Sequence, residues 1–306
     1  MRLAALLLLL LAASLPHAEA APRYTALYAF GDSLTDVGND WIASGHQFPV
    51  SPPYNNGRFS NGPVWVEDVA DKLGLKPLAP SLSGGTDFAY GGGRTANPNG
   101  KPGAAPLSVF PQNLPGQVAL FEASVGGHAP PEALYAVWSG GFDLLAQGGK
   151  GGPAPDLTTV AETAAANVGT AVDRLLALGA KHILVANLPD LTRVPGGARQ
   201  PPAVAGARRA AVLAYNRVLA ETLAGKPGVV LVDMFTPTER ALASPAASGF
   251  TDIATPCWTG NNREPGSGRV CAETRAGQDG HMFWDKVHPG AKLHALFAEA
   301  ALARLP

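Results

Sequence analysis

The chain has 306 residues and a formal net charge of −1, and its lysines and arginines are scattered rather than clustered. We therefore expect neither a nucleic-acid partner nor a polybasic membrane patch. The 36 glycines and 28 prolines occur in separate loops without a repeating period, which indicates a loop-rich globular protein and excludes a fibrous one.

The amino terminus has the pattern of a secretory signal. Arg2 precedes an apolar run over residues 3–15, and Ala18-Glu19-Ala20 forms a small-x-small cleavage site. A membrane anchor is the weaker interpretation, because a bilayer-spanning helix needs about 20 apolar residues. We expect cleavage after Ala20, a secreted or periplasmic protein without stable membrane insertion, and a single domain over residues 21–306.

In the remaining chain, segments that predict buried strands alternate with amphipathic segments that predict helices. This alternation favours parallel pairing through crossover helices, and hence a three-layer α/β/α sandwich around a mostly parallel sheet. Long loops in such a fold are candidate walls of a site. The predicted strands are residues 27–30, 134–138, 182–187 and 229–232; the predicted helices are 64–73, 114–123, 157–178, 205–223 and 291–305; the long loops are 91–116, 147–155, 195–202 and 243–282.

The first strand runs into the stretch FGDSLTDVGN, residues 30–39. If a helical turn begins at Leu34, Ser33 lies between a strand end and a helix start, where unpaired N–H groups favour a developing oxyanion. A serine there is equally suited to be a helix N-cap, so this stretch alone leaves both readings open. Asp32 and Asp36 are interpreted as helix-start acids in preference to a carboxylate pair.

Near the other end, Asp285 and His288 are three residues apart, just before the last predicted helix. This spacing allows the carboxylate to reach the imidazole Nδ1, fix its tautomer and leave Nε2 free to take a proton. Cys257 and Cys271 are the two cysteines. In an exported protein they predict a disulfide that stabilises by about 3 kcal/mol, with two free buried thiols as the alternative.

Five segments in chain order resemble the blocks of the GDSL esterase/lipase family of SGNH hydrolases. The resemblance implies a flavodoxin-like fold and an ester hydrolase with an acyl-serine intermediate that needs no cofactor. No serine has the G-x-S-x-G flanks of an α/β-hydrolase elbow. The five segments are FGDSLTDVGN at residue 30, YNNGRFSNGPVWVE at 54, DFAYGGG at 87, VANLPDLTRVP at 185 and DKVHPG at 285.

Carried onto this chain, the resemblance implies that Ser33 is the nucleophile, His288 the general base and Asp285 the orienting carboxylate. The backbone N–H groups of Ser33 and Gly92 would form the oxyanion hole. Glycine suits the second position because the backbone must approach the substrate oxygen closely.

The third family block, normally G-x-N-D, departs from the pattern, because Phe142 occupies the asparagine position and has no donor. Loss of one oxyanion donor costs about 2.7–4 kcal/mol. We expect a working but weakened esterase, unless Phe142 lines an acyl pocket or Asn39 supplies the missing donor. Turn-capping is the favoured role for Asn39.

The leading expectation is an exported serine ester hydrolase that acts on a small-molecule or lipid ester, possessing lipase or lysophospholipase character. The alternatives are a weakly active or inactive member that binds an ester, lipid or glycan, and a glycan O-deacetylase. His281 lacks partners at ligand spacing, so we expect no metal. Aromatic residues that would form an apolar wall or a sugar platform, or simply pack, are Trp41, Phe48, Tyr54 and Trp258.

Overall fold

The computed structural model describes residues 23–97, 112–146 and 156–305. The predicted signal peptide, the loop at 147–155 and residues 98–111 of the loop at 91–116 lie outside the described residues. Within the described ranges, no helix combines the length and the apolar character that crossing a membrane requires.

A parallel sheet forms the centre of the fold. Its strands are Leu27–Gly31 (β1), Leu134–Trp138 (β2), His182–Ala186 (β3) and Val229–Val232 (β4), in the order β1-β2-β3-β4. Every residue of β2 is buried, as expected for a strand that is covered on both faces. The predicted strands are confirmed; β1 ends one residue later and β3 one residue earlier than the sequence indicated.

A short segment, residues 86–90, extends the sheet beyond β1. The N–H of Ala29 donates to the Thr86 carbonyl (3.0 Å), and the N–H of Phe88 donates to the Ala29 carbonyl (2.8 Å). The segment that follows β1 in the chain therefore lies on one side of β1, and β2 lies on the other side. The carboxyl end of β1 is thus a topological switch point, where ligand sites form in open α/β sheets.

Helices cover both faces of the sheet. On one face Trp138 of β2 packs edge-on against Trp65 and Phe297, at centroid distances of 5.6 and 5.0 Å. On the other, Tyr135 packs against Phe121 at 5.7 Å. The layers confirm the predicted α/β/α sandwich. The helices are Asn39–Ala43 (α1), Trp65–Lys72 (α2), Leu114–Ser124 (α3), Gly141–Leu145 (α4), Leu157–Ala177 (α5), Pro202–Leu223 (α6), Phe235–Ala243 (α7), Arg275–Gln278 (α8) and Ala291–Leu302 (α9).

The predicted long loop at 243–282 contains regular structure that the sequence did not reveal. Strands Asp252–Pro256 (β5) and His281–Phe283 (β6) pair in parallel, and Cys257 and Cys271 form a disulfide directly after β5. A small second core surrounds this disulfide, separate from the main core. Its members are Val50, Tyr54, Cys257, Trp258 and Trp284.

The end of β1 is held in an arrangement that only glycine permits. Gly31 has φ +153°, and a Cβ there would lie 2.1 Å from the carbonyl oxygen of Trp138. The buried Gln117 side chain of α3 accepts from the Gly31 N–H (2.8 Å) and donates to its carbonyl (2.7 Å). This amide clamp fixes the residue from which the Ser33 turn departs.

We expect Gln117→Leu to lower the free energy of unfolding by roughly 1–3 kcal/mol, because the buried Gly31 N–H loses its partner. Chemical denaturation measures the change. Gln47→Leu, at an exposed position, is the matched control. Equal stability of the two variants would contradict a structural role for the clamp.

Candidate active site

Ser33 lies in a single helical turn immediately after β1. The N–H groups of Thr35 and Asp36 both donate to the Asp32 carbonyl at 3.0 Å, and the Leu34 N–H donates to the Asp32 carboxylate at 3.1 Å. A helical turn is therefore present at Leu34, but it stops after one turn, and the first helix, α1, begins only at Asn39. Asp36 accepts from the N–H groups of Gly38 and Asn39 at the start of α1.

His288 and Asp285 lie in a tight loop between β6 and α9, the histidine loop (residues 284–290). The Trp284 N–H donates to the His288 carbonyl at 2.8 Å. One carboxylate oxygen of Asp285 accepts from the N–H groups of Val287 (2.8 Å) and His288 (2.7 Å). The backbone and the carboxylate therefore close this loop together.

The histidine loop and the Ser33 turn meet at the carboxyl edge of the sheet. His288 Nδ1 lies 2.7 Å from Asp285 Oδ2, and its Nε2 lies 2.9 Å from Ser33 Oγ. A carboxylate only accepts hydrogen bonds, so Nδ1 carries the proton and Nε2 accepts from the serine hydroxyl. The structure thus joins side chains 255 residues apart into one hydroxyl–imidazole–carboxylate chain.

Tyr54 is a member of this chain of contacts that the sequence reasoning missed. Its hydroxyl donates to Asp285 Oδ2, the same oxygen that faces the imidazole. Burial raises the pKa of Asp285, but the His288 charge and the hydrogen bonds from His288 and Tyr54 outweigh burial and leave the pKa below its ordinary value. Asp285 is therefore ionised at neutral pH.

The tyrosine segment (residues 54–67) holds the histidine loop at two further points. Ser60 donates to the Pro289 carbonyl at 3.0 Å, and the Asn61 side chain accepts from the Ala291 N–H at 2.9 Å. The Phe59 ring lies 5.1 Å from the His288 ring. A segment that the sequence marked only by resemblance therefore braces the imidazole.

The glycine turn (residues 90–93) lies beside Ser33. Asp36 accepts from the Gly91 N–H at 3.0 Å, and the Gly93 N–H donates to the Tyr90 carbonyl at 2.9 Å. Gly92 between them has φ +76°, a left-handed conformation that favours glycine. Within the described ranges, the N–H groups of Ser33 and Gly92 donate to no protein atom.

The main cavity, of about 1520 Å³, opens at this edge of the sheet. Of the four aromatic residues considered from the sequence, Phe48 lines it, whereas Tyr54 and Trp258 pack in the second core. Trp41 packs against His46 at 4.2 Å. The polar lining includes Ser33, Asp40, Gly92, Arg263 and His288; the apolar lining includes Phe142, Leu145, Leu157, Leu188, Leu191 and Val204.

The family model described as GDSL-like Lipase/Acylhydrolase matches residues 27–301. The chain belongs to this family. The GDSL-like chain is accordingly a carboxylic ester hydrolase.

The GDSL-like chain is similar to curated proteins along most of its length. It is 29% identical to a phosphatidylcholine-sterol acyltransferase of Aeromonas hydrophila, over 96% of this chain and 94% of that protein. It is 25% identical to a GDSL esterase/lipase of Arabidopsis thaliana, over 98% and 94%. A solved extracellular lipase of Streptomyces rimosus aligns with a TM-score of 0.42 and 14% identity, over 92% and 100%.

In the third family block, Phe142 lies in the first turn of α4 and lines the main cavity. The Arg94 guanidinium lies 5.4 Å from the centre of the Phe142 ring. Asp143 accepts from the N–H and the hydroxyl of Thr95, both at 3.0 Å. The block therefore keeps its aspartate and gains an apolar wall.

Asn39 does not replace the missing donor. Its amide donates to the carbonyls of Asp87 (2.8 Å) and Ala89 (3.0 Å), and its oxygen accepts from the Leu82 N–H (3.1 Å). Because both amide hydrogens are used, Asn39 ties α1 to the segment beside β1. The alternative in which it supplies an oxyanion donor is wrong.

Buried carboxylates lie behind the glycine turn of this GDSL-like chain. Burial raises the pKa of Asp36 to about 6 despite hydrogen bonds to backbone N–H groups. Burial and the Asp36 charge raise the pKa of Asp40 to about 9, against the opposing effect of Arg263. Neither carboxyl oxygen of Asp40 has a hydrogen-bond partner within the described ranges.

We expect Asp40→Asn to stabilise the protein increasingly as the pH rises. The ordinary pKa of 3.8 rises to about 9 on folding. Between these values the folded state binds the proton more than the unfolded state, so stability falls with pH in the parent. Asparagine cannot ionise and breaks no hydrogen bond, so Tm at pH 8 should rise by about 3 °C or more.

Thermal unfolding of the parent and of Asp40→Asn from pH 5 to pH 8.5 measures the difference in Tm between them. Asp71→Asn, at an exposed position of α2, controls for the loss of one charge. A gap between parent and Asp40→Asn that stays constant with pH would contradict the assignment.

Proposed function

We propose that this GDSL-like hydrolase is an exported serine esterase that cleaves carboxylic esters of lipid-like alcohols. Ser33 is the nucleophile, His288 the general base and Asp285 the orienting carboxylate. The observation that carries the proposal is the continuous chain of contacts, 2.9 Å from Ser33 Oγ to Nε2 and 2.7 Å from Nδ1 to Asp285.

In the proposed mechanism, Ser33 Oγ attacks the ester carbonyl carbon while His288 Nε2 takes the hydroxyl proton. The bond to the alcohol oxygen then breaks, and His288 returns the proton to the departing alcohol. Water attacks the acyl-serine with His288 again acting as base, which releases the acid and restores Ser33. Asp285 stays ionised and stabilises the imidazolium in both steps.

The N–H groups of Ser33 and Gly92 stabilise the oxyanion in this proposal. Two observations support this role: neither N–H has a protein acceptor in the described part of the chain, and adjacent hydrogen bonds hold the glycine turn. With Phe142 in the third block, the oxyanion lacks one side-chain donor, which costs about 2.7–4 kcal/mol of transition-state stabilisation. The expected result is a slower enzyme with a more apolar cavity.

Lipid esters, including lysophospholipids, are the proposed substrates. A large cavity lined by leucine, valine and phenylalanine side chains supports an acyl chain over the small acetyl group of a glycan. The name of the relative phosphatidylcholine-sterol acyltransferase also supports a lipid ester. Glycan deacetylation, which favours a shallow polar cleft, is correspondingly less well supported.

We further propose that residues 1–20 are a signal peptide removed after Ala20, and that residues 21–306 form one hydrolase domain that acts outside the cytoplasm. The apolar run and small-x-small site support export. The Cys257–Cys271 disulfide supports an oxidising compartment.

Replacement of the nucleophile tests the proposed function. We expect Ser33→Ala to lower kcat on a p-nitrophenyl ester by roughly 10⁴-fold or more, and to abolish covalent labelling by a serine-directed fluorophosphonate. Ser124→Ala, on α3, is the matched control and should label stoichiometrically. Retained labelling of Ser33→Ala would refute the assignment of the nucleophile.

Tyr54 is a positioning residue for Asp285 in this mechanism. Tyr54→Phe keeps the ring in the second core and removes only the hydroxyl, so we expect kcat to fall about tenfold with little change in KM. The loss of one hydrogen bond to the ionised carboxylate raises the pKa of Asp285. The low-pH limb of the activity profile should therefore move to higher pH.

A pH profile of kcat measures this shift. Tyr135→Phe is the control, because Tyr135 is also buried and donates to one carbonyl, that of Pro130, at the opposite end of the sheet. A fall in kcat without movement of the low-pH limb would reduce Tyr54 to a packing residue.

A further inference from the structure

A second, basic cavity of about 550 Å³ lies between the disulfide and the stretch that follows β3. Three permanent cations line it: Arg199, Arg269 and Lys286. His281 also lines it, and none of the described aspartates and glutamates does. The nearest acid to His281 is Asp252, whose carboxylate lies 3.8 Å from Nδ1.

No carboxylate among the described residues neutralises these three cations. Within the described ranges, Arg199, Arg269 and Lys286 form no ion pair, whereas other arginines, such as Arg58 and Arg209, pair with carboxylates. Three unpaired like charges around one concavity repel each other, so an anionic ligand there would be stabilised.

The backbone around Arg269 is fixed by the fold. Val270 pairs with Trp258 in an antiparallel bridge, and the Thr259 N–H donates to the Arg269 carbonyl at 3.2 Å. The disulfide closes this hairpin between Cys257 and Cys271. The backbone that carries Arg269 is therefore held by one covalent bond and several hydrogen bonds.

The basic cavity adjoins the main cavity. Gly196 and Lys286 line both cavities, and the Gly196 N–H donates to the Lys286 carbonyl at 2.8 Å. Lys286 directly follows Asp285 and precedes His288 by two residues. His288 protonates the departing alcohol in the proposed mechanism, so a cavity beside the histidine loop lies on the alcohol side of the scissile ester.

We propose that the basic cavity binds a phosphate group on the alcohol part of the ester substrate. This inference rests on the proposed function and names its substrate class as phosphate-bearing acyl esters. Arginine presents a planar fork of donors that matches phosphate oxygens, and lysine adds a point charge. The acyl chain then has the apolar wall of Phe142, Leu188 and Val204 in the main cavity.

The test compares two esters with the same acyl chain, a lysophospholipid and a monoacylglycerol. The double variant Arg199→Gln and Arg269→Gln is expected to lower the kcat/KM ratio of the phosphate-bearing ester to the neutral one by roughly tenfold or more. The control double variant, Arg240→Gln and Arg304→Gln, removes the same net charge at exposed positions of α7 and the carboxyl terminus. An unchanged ratio in the first variant, or an equal fall in the control, would overturn the proposal.

Competition experiments distinguish a lipid headgroup from free phosphate. Inhibition of lysophospholipid hydrolysis by glycerol 3-phosphate at lower concentration than by inorganic phosphate assigns the site to a headgroup. Equal inhibition by both assigns it to free phosphate. Inhibition that is as strong in the Arg199→Gln and Arg269→Gln variant as in the parent would overturn a site at this cavity.

Failure of the phosphate site can be distinguished from failure of the proposed function. If Ser33→Ala retains activity on both esters, the mechanism fails. If Ser33→Ala loses both activities, but the kcat/KM ratio of the two esters is unchanged in the Arg199→Gln and Arg269→Gln variant, the mechanism stands and the phosphate site fails.

Discussion

The rest of the site depends on one buried carboxylate, that of Asp285. It accepts from the N–H groups of Val287 and His288, from the His288 ring and from the Tyr54 hydroxyl. The His288 charge and the hydrogen bonds from His288 and Tyr54 favour the ionised form, and together they outweigh the burial that would otherwise raise the pKa of the group. The same four bonds fix the shape of the histidine loop, the tautomer of the imidazole and the attachment of the tyrosine segment.

A second constraint acts at the end of β1. The Gln117 amide clamps Gly31, and Asp36 holds both the start of α1 and the N–H of Gly91. In the proposed mechanism these contacts preorganise the two backbone donors of the oxyanion hole, which matters more here than in relatives with a third-block asparagine. Since the Asn39 amide is committed elsewhere, this proposal assigns the electrostatic contribution to catalysis to backbone positions that the buried polar network fixes.

The sequence predicted the architecture well because buried parallel strands and long amphipathic helices have strong periodic signals. The segment at 134–138 was located to the residue, since all five side chains are buried. Elements of four or five residues, such as α1 and α4, contain too little of a helical period to be recognised. The glycines and prolines of residues 243–282 made β5 and β6 look like part of a loop.

Within the site, the sequence predicted the residues that belong to a recognisable motif. It did not predict the role of a residue that acts only through a contact distant in sequence. The resemblance pointed to Ser33, Asp285 and His288, and the structure brings their side chains into contact. Tyr54 contacts Asp285 across 231 residues, and no local spacing encodes that contact. The less favoured alternative for Asn39, a donor to the oxyanion, is wrong for the complementary reason, since its proximity to Ser33 in sequence says nothing about where its amide is used.

The histidine loop connects the disulfide hairpin, the tyrosine segment and the basic cavity. On the side of β6, the N–H of Cys257 donates to the carbonyl of Phe283, the last residue of β6. The N–H of Trp258 donates to the carbonyl of Trp284, the first residue of the loop. Its following turn is bonded to the tyrosine segment through Ser60 and Asn61. Because Asp285, Lys286 and His288 share this short loop, the contacts that orient the imidazole also position the cation at the basic cavity. In the two proposals taken together, a phosphate bound there orders the loop that transfers the proton, so that substrate recognition and proton transfer would share one element of structure.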